Sequence, residues 1–130
     1  MVRKILVWRW LPALLMMAVI FFFSSRPSAE LPHFGSWDMI VKKGAHALGY
    51  GLLALSYLRG LGREGGHRLH PCLLAWFFAI LYSATDEFHQ SFVPGRHPSG
   101  IDIMIDGAGA AAALAIWLLR SKKKRESLTP

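Results

Sequence analysis

Apolar positions along the chain gather into four runs, each bordered or interrupted by a few charges. The first covers residues 5–23 and contains Arg9 and Pro12. The second, 39–58, is weaker because Lys42, Lys43, His46 and Tyr50 occupy its first half. The third, 71–92, opens on Pro71, and proline suits a first helical turn. The fourth, 101–119, follows Ser99, which with Asp102 three residues on resembles a capping box, Asp replacing the usual Glu or Gln. Apolar runs of about 20 residues are the length of helix that crosses a bilayer. The pattern therefore predicts an all-α polytopic membrane protein, a four-transmembrane-helix bundle.

The first run needs a separate argument. Its unbroken part, from Trp10 onward, is 14 residues and marginal for a span. Arg9, however, can snorkel to an interface beside Trp8 and Trp10. A cleaved signal peptide is the rival, with Arg3 and Lys4 as its basic start. Phe21-Phe22-Phe23 followed by Ser24-Ser25-Arg26-Pro27 makes a poor small-residue cleavage site, so a retained span is expected.

Composition agrees with this picture. A chain of 130 residues is enough for one domain, and 53% hydrophobic against 18% charged residues departs from the usual soluble balance. We expect a single membrane domain over 1–119 and a basic cytoplasmic tail over 120–130. The lone Cys72 excludes a disulfide framework or a CxxC metal site, and its apolar setting makes it packing. A net charge of +7 could signal nucleic acid, but the cations sit in short clusters between apolar runs, so no nucleic-acid partner is expected. One set of flanks holds eleven cations against two acids, the other four cations against six acids. By the positive-inside rule both termini are cytoplasmic and the segments after the first and third runs face outward.

Helical phase then shows where the polar residues point. In the second run Lys43, His46 and Tyr50 share an arc of about 60°, continued by Ala47 and Ala54, with Val41, Leu48, Leu52 and Leu55 opposite. In the third, Asp86, Glu87 and Gln90 fall within about 100°, continued by Ser83, Ala79 and Ala75, with Leu73, Phe77, Leu81 and Phe88 opposite. In the fourth, Asp102, Asp106, Gly109 and Ala113 share a stripe of about 60°. Small residues let helices approach closely in lipid. The three polar stripes are thus expected to face one another across an outward-facing pocket, with Arg96 folding back over it.

Such a pocket has several chemistries open to it. Lys43, His46, Tyr50, Asp86, Glu87, Gln90, Arg96, Asp102 and Asp106 are the candidate ligand-binding residues. Arg96 and Lys43 offer fork and point-charge recognition of an anionic headgroup. Poorly solvated carboxylates at close range spread their protonation equilibria, a requirement for acid/base work. In an enzyme reading, a hydrolase or transferase acting on a lipid-linked substrate, Glu87 is the general acid or base with Asp86 or His46 as partner. No nucleophile elbow or HExxH spacing supports that reading. A divalent metal is chemically within reach of His46, His89 and the carboxylates, though without a recognised ligand spacing. In a third reading the charges only neutralise one another and fix a structural or partner-scaffolding bundle. Transport through four short spans would need oligomerisation, and a homo-oligomer stays open. Lys42 is expected to snorkel to headgroups, and His33, His67, His70 and His97 to be loop or interface residues.

Lys43-x-x-His46-x-x-x-Tyr50, Asp86-Glu87-x-x-Gln90-x-Phe92-Val93-Pro94-Gly95-Arg96 and Asp102-x-x-x-Asp106-x-x-Gly109, with Ser24-Ser25 after the first run, together resemble the VanZ-like family of small bacterial membrane proteins. The resemblance covers about residues 20–115 and implies a bacterial plasma-membrane protein of the cell envelope. Its founding member is linked to low-level antibiotic resistance, to the lipoglycopeptide teicoplanin. Membrane lipid, a lipid-linked envelope ligand or a lipoglycopeptide are the partners this implies. The family usually has Asn where this chain has Asp106.

Overall fold

The computed structural model describes residues 2–62 and 68–127, which form four long helices and two short 3-10 turns with no strand among them. Helix α1 is Val2–Ser24, α2 Asp38–Leu61, α3 Leu69–Gln90 and α4 Gly100–Glu126. The all-helical expectation is met. The expected links at His67, Arg63 and Glu64 lie outside the described residues, as do the side chains of Arg3 and Lys4.

Each boundary has a local cause. Pro71 stands in the first turn of α3, where its missing N–H costs no helical bond. That helix closes two residues earlier than the pattern predicts. Ser91, Phe92 and Val93 tighten into turns on Glu87, His89 and Gln90 carbonyls, Pro94 disfavours continuation, and Gly95 takes φ 73°. Ser99 caps α4, its Oγ accepting from the Ile101 N–H at 3.2 Å. Helix α4 runs on past Leu119 through the basic residues to Glu126.

The helices form a diamond. Helix α2 touches all three others and packs most extensively on α4; α1 rests mainly on α2 and touches α3 lightly. Pairs in register give the directions. Lys43 with Asp102 and Ala47 with Gly109 make α2 and α4 parallel, while Trp10 against Gly60 makes α1 antiparallel to α2. One end of the bundle therefore carries the 25–37 and 91–99 connections, and the other carries the helix ends nearest the termini.

Glycine sets the closest approach. A Cβ on Gly109 would collide with the Ala47 backbone, and one on Gly51 would meet the Gly109 carbonyl oxygen at 3.2 Å and Ala113 Cβ at 3.3 Å. Ala47-x-x-x-Gly51 on α2 thus nests into Gly109-x-x-x-Ala113 on α4, the close packing that small residues permit. At the termini end Trp10 covers Gly60, and Arg9 lies against Gly62 and donates to the Arg59 carbonyl, capping α2. Towards that end the core is apolar, built on Ala13, Leu53, Ala54, Tyr57, Leu58, Cys72, Ala75 and Leu114. Most of the residues assigned opposite the polar stripes lie outside: Leu48 is 66% exposed and Phe88 69%, with Leu73, Phe77 and Leu81 between half and two-thirds, whereas Leu55 packs against the core.

Candidate functional site

Polar side chains concentrate at the two-loop end, where α2, α3 and α4 bring their stripes together. They meet in pairs and so fill the space between the helices. Lys43 forms an ion pair with Asp102 across α2 and α4. One turn further in, His46 Nδ1 stands 3.4 Å from Asp106 Oδ1, and the other Asp106 oxygen accepts from Ser83 Oγ at 2.6 Å. Asp106 is 1% exposed. Asp86, 4% exposed, accepts at a single oxygen, Oδ2, from Ser24 Oγ at 2.8 Å, Gln90 Nε2 at 3.1 Å and Tyr50 Oη at 3.3 Å. Gln90 also donates to Ser24 Oγ, closing a ring of contacts between α1 and α3. His46 Nδ1, Asp86 Oδ1 and Asp106 Oδ1 are buried with no well-formed hydrogen bond among the described residues.

Glu87 has a different task. Its Oε2 accepts from the Ser99 backbone N–H at 2.9 Å. A capping box would give that N–H to an acid at the third helical position. Here Asp102 holds that position but is turned to Lys43, and Glu87 supplies the acceptor from the neighbouring helix. Each of the three residues of the acid/base reading has hydrogen-bond or ion-pair partners of its own: Glu87 caps α4, Asp86 sits in the Ser24–Tyr50–Gln90 network, and His46 faces Asp106. His89 is apart from all of them, stacked on Phe21 and 3.0 Å from Ser25 Oγ. Among the described residues no group of three or more His, Cys, Asp or Glu is placed to hold a metal ion.

An open space that polar side chains reach lies on the other side of α2. A cavity of about 420 Å³ runs between α1 and α2 beneath the 25–37 connection. Met16, Val19, Ile20, Phe23, Leu31, Phe34 and Val41 make its apolar wall, and Ser24, Lys42, His46, Tyr50 and Arg96 its polar part. Of the nine expected ligand contacts, His46, Tyr50 and Arg96 line this cavity; Lys43, Asp86, Glu87, Gln90, Asp102 and Asp106 do not. This cavity lies against α1, whereas between α2, α3 and α4 the carboxylates and their partners meet in pairs.

Arg96 does fold back as expected, and the structure shows onto what. Its Nη2 donates to the Phe23 carbonyl at 2.8 Å and its Nε to the Arg26 carbonyl at 3.1 Å, at the exposed end of α1 where carbonyls lack helical partners. Ser28 ties the same two connections together through the Gly95 carbonyl. No carboxylate pairs with Arg96 among the described residues. Lys42, expected at the headgroups, lines the cavity and pairs with Asp38 at 2.7 Å.

A family model settles the kinship. The chain belongs to the VanZ/LLP1 family, whose model matches residues 9–121. No curated protein and no solved structure gives a significant match. VanZ-like membership, with Ile5–Ser24 and Gly100–Glu126 long and apolar enough to cross a bilayer, points to a membrane protein. In the sequence Ser24 stood out only through the Ser24-Ser25 element of the family resemblance and not among the nine candidate ligand contacts, yet it lines the cavity and donates to Asp86.

Proposed function

We propose that this VanZ-family chain is a four-span protein of the bacterial plasma membrane, with both termini cytoplasmic, that holds an amphiphile bearing an anionic group in the cavity between α1 and α2. Three observations support the membrane reading, and a fourth the ligand. Every helix turns bulky apolar side chains outward, far more than a water-facing surface tolerates. Charged groups within the bundle face inward and pair, as intramembrane charges do. Among the described residues, the threading puts Arg9, Arg59, Arg68, Arg120 and the cations of 122–125 at one end of the bundle and the acid-rich flanks at the other. A volume of about 420 Å³ is within the range of small-molecule sites.

Arg96 carries the ligand reading. Its guanidinium is held by two backbone carbonyls at the mouth of a largely apolar cavity, with its charge met by no protein carboxylate among the described residues. An anionic head on an apolar tail satisfies both halves of that site. A fork donor fixed in place loses little entropy on binding such a head. The family's founding member is linked to teicoplanin resistance, and a lipoglycopeptide's acyl tail is of the apolar kind this wall accepts.

The test uses purified protein in nanodiscs, titrated with dodecyl phosphate, dodecyl maltoside and inorganic phosphate. Dodecyl phosphate should bind more tightly than either. Arg96→Ala should weaken it by about tenfold or more, the worth of a charge-assisted hydrogen bond. Equal binding of the neutral and anionic detergents, or no effect of Arg96→Ala, sinks the reading. In cells, the same variant at wild-type protein level should shift teicoplanin susceptibility if the resistance link extends to this chain.

A further inference from the structure

We infer that Asp106 acts on the bound headgroup through His46, as a positioning residue that turns the imidazole so that Nε2 faces the cavity. The inference deepens the cavity reading above and rests on it for its ligand, though not for its geometry. Asp106 itself does not line the cavity, whereas His46 does. His46 Nδ1 is buried and points to Asp106 Oδ1 at 3.4 Å, so the other ring nitrogen is the one left for a ligand. A carboxylate oxygen is an acceptor, so in this inference the nitrogen facing it carries the hydrogen and fixes the tautomer.

Three further features bear on the Asp106–His46 pair. Ser83 Oγ holds its second oxygen at 2.6 Å from α3. The Gly109–Ala47 approach one turn below fixes the separation of α2 and α4. Tyr50 stacks on the imidazole at 6.3 Å and 17°, limiting ring rotation. Neither Ser83 nor Asp106 has another evident duty at the cavity. The chain Ser83–Asp106–His46 thus runs from α3 through α4 to the cavity wall on α2. With Arg96 above, it gives a headgroup one fixed guanidinium and one oriented imidazole, which suits an anion with more than one oxygen, such as a phosphate or carboxylate.

The experiment pairs a double-mutant cycle with a ring-specific signal. Nitrogen-15 histidine spectra, with His46 assigned by difference from His46→Gln, should show a protonated Nδ1 in the wild type and lose that fixed state in Asp106→Ala. Asp106→Ala should weaken dodecyl phosphate binding by about tenfold in the wild type. In a His46→Ala background, where no side chain is left to link Asp106 to the cavity, it should change binding by less than about twofold. Asp106→Asn, whose side-chain carbonyl can still accept from Nδ1, should restore most of the loss and guards against a misfolded alanine variant. Equal losses in both backgrounds, or an unprotonated Nδ1 in the wild type, would overturn the inference. Absence of any dodecyl phosphate binding by the wild type would instead overturn the cavity reading, while the Nδ1 signal still decides the orientation of the ring.

Discussion

The two halves of α2 are built on opposite principles. From Asp38 to Tyr50 the helix meets its neighbours through side chains of opposite polarity: Lys43 with Asp102, His46 with Asp106, Tyr50 with Asp86. From Gly51 onward it packs Leu53, Ala54, Tyr57 and Leu58 against Ala13, Cys72, Ala75 and Leu114. In a bilayer, burying an apolar side chain gains little, because the lipid is equally apolar. The apolar half therefore supplies fit, and the polar half supplies register, since each donor has only one acceptor at the right height. Between them, Ala47 and Gly51 set how closely α2 and α4 lie.

The largest effect should come at that junction. Gly109→Leu places a side chain where the Ala47 backbone already lies, and α2 and α4 must separate along both halves. We expect a loss of about 3 kcal/mol, the upper part of the usual overpacking range, read from reversible unfolding in mixed micelles. A stable Gly109→Leu protein would break the account of how the two halves are held together.

Next comes a direct contest between the halves. Asp86→Ala removes three hydrogen bonds at Oδ2, at about 0.6 kcal/mol each in a membrane bundle, so about 2 kcal/mol in all. Leu53→Ala empties a fully buried apolar site. Its transfer component is largely absent when the unfolded helix stays in lipid, leaving a packing loss of about 1–2 kcal/mol. If Leu53→Ala proves the more damaging, hydrogen bonding is not what holds the two-loop half together. Glu87 offers a finer test. Glu87→Ala should cost about 1 kcal/mol by stranding the Ser99 N–H, while Glu87→Gln keeps an acceptor and should cost a few tenths. Loss of cellular function by Glu87→Gln at normal stability and protein level would point back to acid/base work at Glu87.

These contrasts also mark what the sequence could reveal. Helical phase identified the Lys43–His46–Tyr50, Asp86–Glu87–Gln90 and Asp102–Asp106 stripes, and the exposure of Leu48, Leu73 and Phe88 on the opposite faces agrees with it. Phase names a face but not the residue across from it. Whether Asp86 meets Lys43 or Ser24 depends on relative helix height, which the Gly109–Ala47 and Trp10–Gly60 contacts fix only once the chain has folded. The cavity was illegible for the same reason. Helix α1 carries no polar stripe, its Ser24 is a single hydroxyl at a helix end, and nothing local tells that α1 leans on α2 and leaves a gap beneath residues 25–37. Glu87 was misjudged because its partner is a backbone N–H, which no side-chain pattern displays.

The smallest effect is at the outer rim, where polar pairing meets water. Asp38 lies ahead of the apolar run at 39–58, accepts from Lys42 Nζ at 2.7 Å and from the Phe34 N–H at 3.2 Å, and these contacts hold its carboxyl below the ordinary value. A carboxyl whose folded value is depressed stabilises the fold above its unfolded value, near 3.8, and loses that contribution as pH falls through the folded value. Wild type and Asp38→Asn should therefore differ slightly at neutral pH and converge on acidification below about pH 4. Salt should shrink the neutral-pH gap, because the pair is open to solvent. The His46–Asp106 pair further in, whose carboxylate is buried, should show no comparable salt dependence. If Asp38→Asn differed from wild type by the same amount at every pH, the Asp38–Lys42 pair would be contributing shape alone, and the polar half of α2 would begin at Lys43.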